Sequence, residues 1–254
     1  MLLEHLHRPL NIEEKGRRAD LVTIADRASE RVIVEHVRKG FPNASILGEE
    51  GGEYTALRQS EPDVQERWII DPLDGTTNYA HGYPLFCISI AYERDAEVTA
   101  AVIYAPLMQE LFTAQRGAGA RRNGEPIWVS SIDSLARSML VTGFKPYDYE
   151  TNAPYFAKAS RQVQAVRRDG SAALDLAYTA MGRFDAFWEF ELAPWDTAAG
   201  MLLVREAGGK VSAVDGSAFQ LDGPSILASN GRVHEAMRAL LCPSTSSGSF
   251  DTSG

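Results

Sequence analysis

Two aspartates and a threonine crowd one short stretch of this chain, Asp71-Pro-Leu-Asp74-Gly75-Thr76, directly after the apolar run Trp68-Ile69-Ile70. A buried strand that ends on Asp71, with a turn forced by Pro72 and Gly75, returns Asp74 and Thr76 to the same neighbourhood. For an isolated stretch of this kind, an Asx-turn capping a loop is the plainer interpretation. Two further acids count against it. Gly48-Glu49-Glu50 also follows a short apolar strand, and Ala193-Pro194-Trp195-Asp196 sets an acid at a helix start, where the helix N-terminus favours its ionised form. Four carboxylates gathered without a cation repel one another, and burial raises their pKa values. A hard divalent ion resolves the conflict, and oxygen ligands without Cys or His point to Mg²⁺ rather than zinc; Mg²⁺ commonly shares its shell with a phosphate.

Other chemistries lack their residues. There is no GxSxG elbow, Lys210 after Gly208-Gly209 is followed by Val211 rather than Ser or Thr, and Gly117-Ala-Gly119 lacks a third glycine at Arg122. Cys87 and Cys242 belong to no zinc pattern and cannot form a disulfide framework. The formal net charge of −9 excludes a generic polyanion binder, and autonomous nucleic-acid binding is not expected. The basic pairs Arg121-Arg122 and Arg167-Arg168 therefore read as solvated or structural. No apolar stretch approaches the roughly 20 residues of a membrane helix, and the opening MLLEHLHRPLN lacks the long apolar core of a signal peptide. A soluble, cytoplasmic protein is expected.

The elements that must carry these acids follow from periodicity. Ala28, Val32, Ile33 and Val37 recur at helical spacing from Asp26, for about three turns, until Gly40 and Phe41-Pro42 end the run. Strands are expected around Ile46-Leu47 and Trp68-Ile70 and over 85–92, 98–105 and 111–114, with Asn123-Gly124 as the clearest hairpin turn. Residues 43–67 read largely as a long loop. The second half alternates: strand 139–142, helix 153–161, helix 171–181, strand 184–190, helix 194–207, strands 210–214 and 226–229, and helix 233–241. Without strict β-α-β alternation this suggests an α/β layered fold with mixed or antiparallel sheets. MLLEHLH looks like the last turns of a helix, and the tail PSTSSGSFDTSG reads as disordered.

At Asp71-Pro-Leu-Asp74-Gly75-Thr76-Thr77-Asn78, with Gly48-Glu49-Glu50 before it and Pro194-Trp195-Asp196 after it, the sequence resembles the inositol monophosphatase family of Mg²⁺-dependent, Li⁺-sensitive phosphatases, and most of all its bacterial SuhB-type members. Asp20-Leu-Val-Thr23-Ile-Ala-Asp26, Leu111-Phe-Thr-Ala114 and the segment from Arg167 to Ala177 also resemble the family, so the likeness runs from Asn11 to Leu241. It implies an α-β-α-β-α sandwich with mixed or antiparallel sheets: a single unit over 1–241 in two lobes divided near 130–145, a disordered tail over 242–254, and a homodimer. The chain would begin partway into the family's N-terminal helix.

The resemblance also implies a site. Glu49, Asp71 and the Leu73 carbonyl would hold a first Mg²⁺, and Asp71, Asp74 and Asp196 a second, with two or three ions per site. Thr76, with Glu49 and Asp26, would orient the attacking water. Substrate would lie against Asp74, Gly75, Thr76, Gly170, Ser171, Ala172, Glu189 and Asp196; Lys15 aligns with a family lysine near the metal-bearing loop. Ala193 stands where animal members carry a histidine, and Tyr79 replaces a commoner Phe, so the preferred ester is open. The expected reaction is hydrolysis of inositol monophosphates or a related small polyol or sugar phosphate. The alternatives are histidinol phosphate, fructose bisphosphate or a nucleotide phosphate, and a SuhB-like role in transcription and ribosomal RNA maturation through contact with the transcription machinery.

Overall fold

A capping box opens the helix that carries Asp26. Thr23 Oγ1 accepts from the Ala25 N–H, while the Asp26 carboxylate accepts from the Thr23 N–H at 2.8 Å and from its hydroxyl at 2.6 Å, satisfying donors left over at a helix start. The computed structural model describes residues 1–6, 13–14, 21–54, 65–144 and 148–242. Lys15 and the tail beyond 242 lie outside these described residues. Within them come a short α1 (Leu2–His5), a ribbon of β1 (Glu13–Glu14) and β2 (Leu21–Val22), and then α2 (Ile24–Gly40). At 17 residues α2 is longer than the three turns expected, and its face is turned. Val32 is exposed, and the buried stripe runs through Ala25, Asp26, Ser29, Glu30, Val34 and Val37. The hydrophobic pattern misled because the first half of the inward face is polar.

The larger sheet uses β3 (Ser45–Gly48), β4 (Gly52–Tyr54), β5 (Glu66–Asp74), β6 (Cys87–Arg94), β7 (Glu97–Ala105), β8 (Glu110–Gln115), β9 (Gly119–Arg122) and β10 (Glu125–Pro126), with a short α3 (Thr76–Ala80) after β5. Its spatial order is β10-β9-β8-β7-β6-β5-β3-β4; only β3 and β5 pair in parallel. Asn123 and Gly124 both have positive φ, 51° and 86°, as the tight turn between β9 and β10 requires. β4 lies inside the stretch expected to be loop, because Gly-Glu-Tyr is too short and polar to show a strand pattern.

The smaller sheet contains β11 (Met139–Thr142), β12 (Ala165–Arg167), β13 (Ala186–Phe190), β14 (Lys210–Ser212) and β15 (Ser225–Ser229), in the order β12-β11-β13-β15-β14. β11 runs parallel to both neighbours and the other pairs are antiparallel. Between these strands the chain forms α4 (Tyr149–Ser160), α5 (Ala172–Ala180), α6 (Pro194–Glu206) and α7 (His234–Leu241).

Five layers result. Val34 and Val37 of α2 meet Ile46 and Ile70 on the outer face of the larger sheet. α5 and α6 fill the space between the sheets, and α4 and α7 cover the smaller sheet, where Met237, Leu240 and Leu241 pack on Trp188 and Leu227. Each such fully buried side chain contributes about 1.5–3 kcal/mol. α6 is buried continuously from Thr197 to Val204 because it is covered on both sides, and a Cβ on Gly200 would stand 2.4 Å from Leu176 of α5. This is the α-β-α-β-α sandwich with mixed sheets that the resemblance implies.

Candidate active site

Parallel pairing delivers the first two acids together. β3 and β5 register Leu47 with Ile69 and Gly48 with Ile70, so Glu49 and Asp71 are the next residue on each strand. The Glu49 N–H donates to the Ile70 carbonyl at 3.2 Å. β5 does not end on Asp71 as expected: it continues to Asp74 through an irregularity in its pairing with β6, between Asp71 opposite Ser89 and Asp74 opposite Cys87. The Pro72 nitrogen has no hydrogen to give the ladder, so the register shifts there. Leu73 N–H donates back to Asp71 Oδ1 at 2.9 Å. Gly75 then takes φ +91°, and a Cβ on it would stand 2.9 Å from the Leu85 carbonyl, so only glycine fits. α3 starts immediately after it, where only a turn was expected.

Thr76, first residue of α3, donates to Asp26 Oδ1 at 2.9 Å and lies 3.1 Å from the Leu73 carbonyl. Asp26 is fully buried and held from its other oxygen by Thr23. Asp26, Thr76 and Leu73 thus form one connected group.

The other acids arrive from the second half of the chain. Asp74 Oδ2 accepts from the Ser171 hydroxyl at 2.6 Å and the Ala173 N–H at 2.7 Å, both at the start of α5, with the Cys87 thiol 3.6 Å away. Gly170, with φ +83°, makes the turn into α5, and Ala172 is the helix's first residue. Asp196 caps α6 by accepting from the Ala193 N–H at 2.8 Å. The Ser89 hydroxyl, opposite Asp71, donates to the Trp195 carbonyl at 3.2 Å and so ties the start of α6 to β6. Glu189, buried on β13, lies against Gly143, where a Cβ would come within 2.4 Å of its carboxylate.

Burial, then Glu49, Asp74 and Asp196, hold Asp71 well above the usual carboxylate range, against the Leu73 N–H. Asp74 is also raised, by burial, and the donors of Ser171 and Ala173 oppose the shift. Among the described residues no three Asp, Glu, His or Cys side chains close into a metal cage, and Asp71, Asp74 and Asp196 each have an oxygen engaged in the hydrogen bonds above. What fits a cation is the chemistry of the donor set. It consists of oxygen only, its members repel one another, and burial raises two of the carboxyls, a shift that a hard divalent ion opposes.

Sequence reasoning missed the residues that hold these. Glu30 of α2 accepts from the Glu50 N–H and the Tyr54 hydroxyl, both at 2.8 Å, and fixes the turn that bears Glu49; burial and Glu30 push the Tyr54 hydroxyl up to about 12. Ser29 donates to the Pro72 carbonyl at 2.9 Å. Asn78 bridges the Leu85 carbonyl at 2.6 Å and the Asp169 carbonyl at 2.8 Å. For Glu30 a signal existed: it follows Asp26 by four residues and so shares its face of α2.

The fold and this site define a family. Its sequence profile, that of the inositol monophosphatase family, matches residues 1–247, and the chain belongs to it. Inositol-1-monophosphatase of Synechocystis sp. is 47% identical over 91% of this chain and 79% of its own length. Nus factor SuhB of Pseudomonas aeruginosa is 44% identical over 92% of this chain and 87% of its own. The crystal structure of extragenic suppressor protein suhB from Bartonella henselae superposes with a TM-score of 0.90 at 39% identity, over 96% of this chain and 93% of that one.

Proposed function

We propose that this chain is a Mg²⁺-dependent phosphomonoester hydrolase that converts inositol monophosphates and water to inositol and phosphate. The observation that carries this reading is the buried Asp71 at the end of paired parallel strands, with Glu49, Asp74 and Asp196 close enough to raise it. Family membership and the name of the Synechocystis relative support it.

Glu49, Asp71, Asp74, Asp196 and the Leu73 carbonyl would hold the metal, which when bound neutralises phosphate charge and acidifies water. The chain's own residues do the rest. Because Thr76 gives its proton to Asp26, its oxygen faces an incoming water as an acceptor, and Asp26 stands behind it to take up the proton. Thr23 locks Asp26 in that orientation. Water attacks phosphorus, the ester P–O bond breaks, and the departing alkoxide is protonated. The Ser171 hydroxyl is already given to Asp74, so the nearby turn serves substrate through Gly170 and Ala172, while Glu189 accepts hydroxyls of the polyol. No covalent intermediate on the protein is required.

The experiment is phosphate release from myo-inositol 1-phosphate with Mg²⁺, with EDTA, and from Asp71→Asn. Turnover only by the Mg²⁺-supplied wild type is expected; full turnover in EDTA sinks the reading. Histidinol phosphate, fructose bisphosphate and a nucleotide monophosphate in the same assay rank the substrate class. The Nus factor SuhB relative favours a second reading, a non-catalytic role at the transcription machinery. That role stands if the inactive Asp71→Asn protein still co-purifies with RNA polymerase, and falls if it does not.

A further inference from the structure

A cleft of about 640 Å³ opens beside α6, bounded by the β6–β7 hairpin and by the loop between β14 and β15. Of the residues that line it, none belongs to the acids assigned to metal or substrate. Its volume falls within the roughly 300–1,000 Å³ of small-molecule pockets. Val98, Met201, Leu202, Phe219 and Leu221, all part of one hydrophobic cluster, give it an apolar surface.

Most charges on the wall are already matched. Arg67 Nε donates to Glu93 Oε2 at 2.6 Å, and Arg116 pairs with Glu97. Glu206 accepts from the Gly117 and Gly119 N–H groups, both at 2.9 Å. Two charges are left over: Asp222, exposed at the rim, and Arg205, one turn along α6 from Met201. Among the described residues Arg205 makes no hydrogen bond or ion pair. Its side chain is open to solvent at the mouth, yet burial within the cleft, and then the like charge of Arg116, lower its guanidinium from the ordinary value, with no acid opposing. A cation set beside another cation, next to an apolar surface, is a place for an anion.

We propose that this cleft is a second binding site, and that it takes a small carboxylate with an apolar or aromatic body, the carboxylate on Arg205 and the body against Met201, Leu202, Phe219 and Leu221. The charge of the wall selects this class. A guanidinium fork matches one carboxylate with two parallel N–H bonds. A phosphate dianion would bring a second negative charge to a wall where Glu93, Glu97, Glu206 and Asp222 already outnumber three arginines. The site is independent of the hydrolase reading and needs no metal.

The test is calorimetric titration of the full chain in EDTA with 3-phenylpropionate, with its neutral amide 3-phenylpropanamide, and with phenyl phosphate. The wild type is expected to bind one 3-phenylpropionate with a Kd of about 1 mM or tighter. Loss of the charged contact should weaken binding at least about tenfold, both for the amide and in Arg205→Gln, and Arg205→Lys should recover part of it. The active-site variant Asp71→Asn should bind as the wild type does. An independent reading is Tm: 3-phenylpropionate should raise it in the wild type and leave it unmoved in Arg205→Gln. Absence of wild-type binding overturns the proposal, as do an affinity that Arg205→Gln leaves unchanged, a loss of affinity in Asp71→Asn, and binding of phenyl phosphate as tight as that of the carboxylate.

Discussion

Thr76 is the residue where the smallest change should say most. Its hydroxyl touches Asp26 and the Leu73 carbonyl and carries little of the core. Thr76→Ala is expected to lower kcat about 100-fold, in the range of a lost proton-transfer group, with KM little moved; Thr76→Ser retains most of the rate. A Thr76→Ala enzyme with unchanged kcat removes Thr76 from the proton path. Glu49, Asp71, Asp74 and Asp196 could be picked out from the sequence because each follows an apolar run or opens a helix. Their supports could not. Glu30, Asn78 and Ser89 are ordinary surface-type residues in sequence, and what marks them is a hydrogen bond to a partner 20, 91 or 106 residues away. No local pattern encodes that distance.

Among the elements, α2 and the β14–β15–α7 corner each carry a prediction. A methyl group on Gly48 would meet the Glu30 carboxylate at 2.6 Å, so Gly48→Ala displaces Glu30, frees the turn of Glu49 and costs about 1–3 kcal/mol of stability. Stability and kcat/KM should fall together, read by urea unfolding and phosphate release. At the corner, fully buried His234 bonds Ser212 through Nε2 at 3.0 Å and Ser229 through Nδ1 at 2.8 Å. Ser212 donates onward to the Ala213 carbonyl and Ser229 accepts from the Gly231 N–H, a chain that suits the neutral ring with its proton on Nε2. Burial, with Lys210 nearby, lowers His234 to about 4. The unfolded chain, titrating near 6.5, therefore binds more protons between these values. Stability is full above pH 6.5 and falls by about 3 kcal/mol as pH drops to 4. His234→Gln should remove that part of the pH dependence in urea midpoints taken from pH 4 to 7.5. Most helix and strand positions were legible in the second half, where periodicity and Gly or Pro stops agree, though the short β12 was missed and α4 begins four residues before the expected 153; the turned face of α2 was not legible, because Asp26, Ser29 and Glu30 occupy its inward side.

For the whole molecule, the raised Asp71 and Asp74 mean that folding without a cation gathers repelling groups. A metal that binds only the folded chain adds RT ln(1 + [Mg²⁺]/Kd), about 2.7 kcal/mol at 100 times Kd, and raises Tm by several degrees. Calorimetry should show that rise in the wild type, and a much smaller one in Asp71→Asn; equal shifts place the ion elsewhere. Layer order itself was beyond the reach of periodicity. α5 and α6 separate two sheets, and in the smaller one β11 pairs with β13 and β13 with β15 across long intervals, an arrangement that only the family likeness supplied.

The bond between Ser171 and Asp74 spans 97 residues of chain, and that interval has a meaning in time. A ribosome adding about 5–20 residues per second exposes Asp71 and Asp74 on the order of ten seconds before the groups that hold Asp74 emerge. During that wait the early-made half can pair β3 with β5 and so bring Glu49 to Asp71, but the α5 donors that hold Asp74 are still to come. Competence for chemistry is therefore acquired late in synthesis, and a chain truncated before α5 carries Glu49, Asp71 and Asp74 but neither Asp196 nor the groups that hold Asp74.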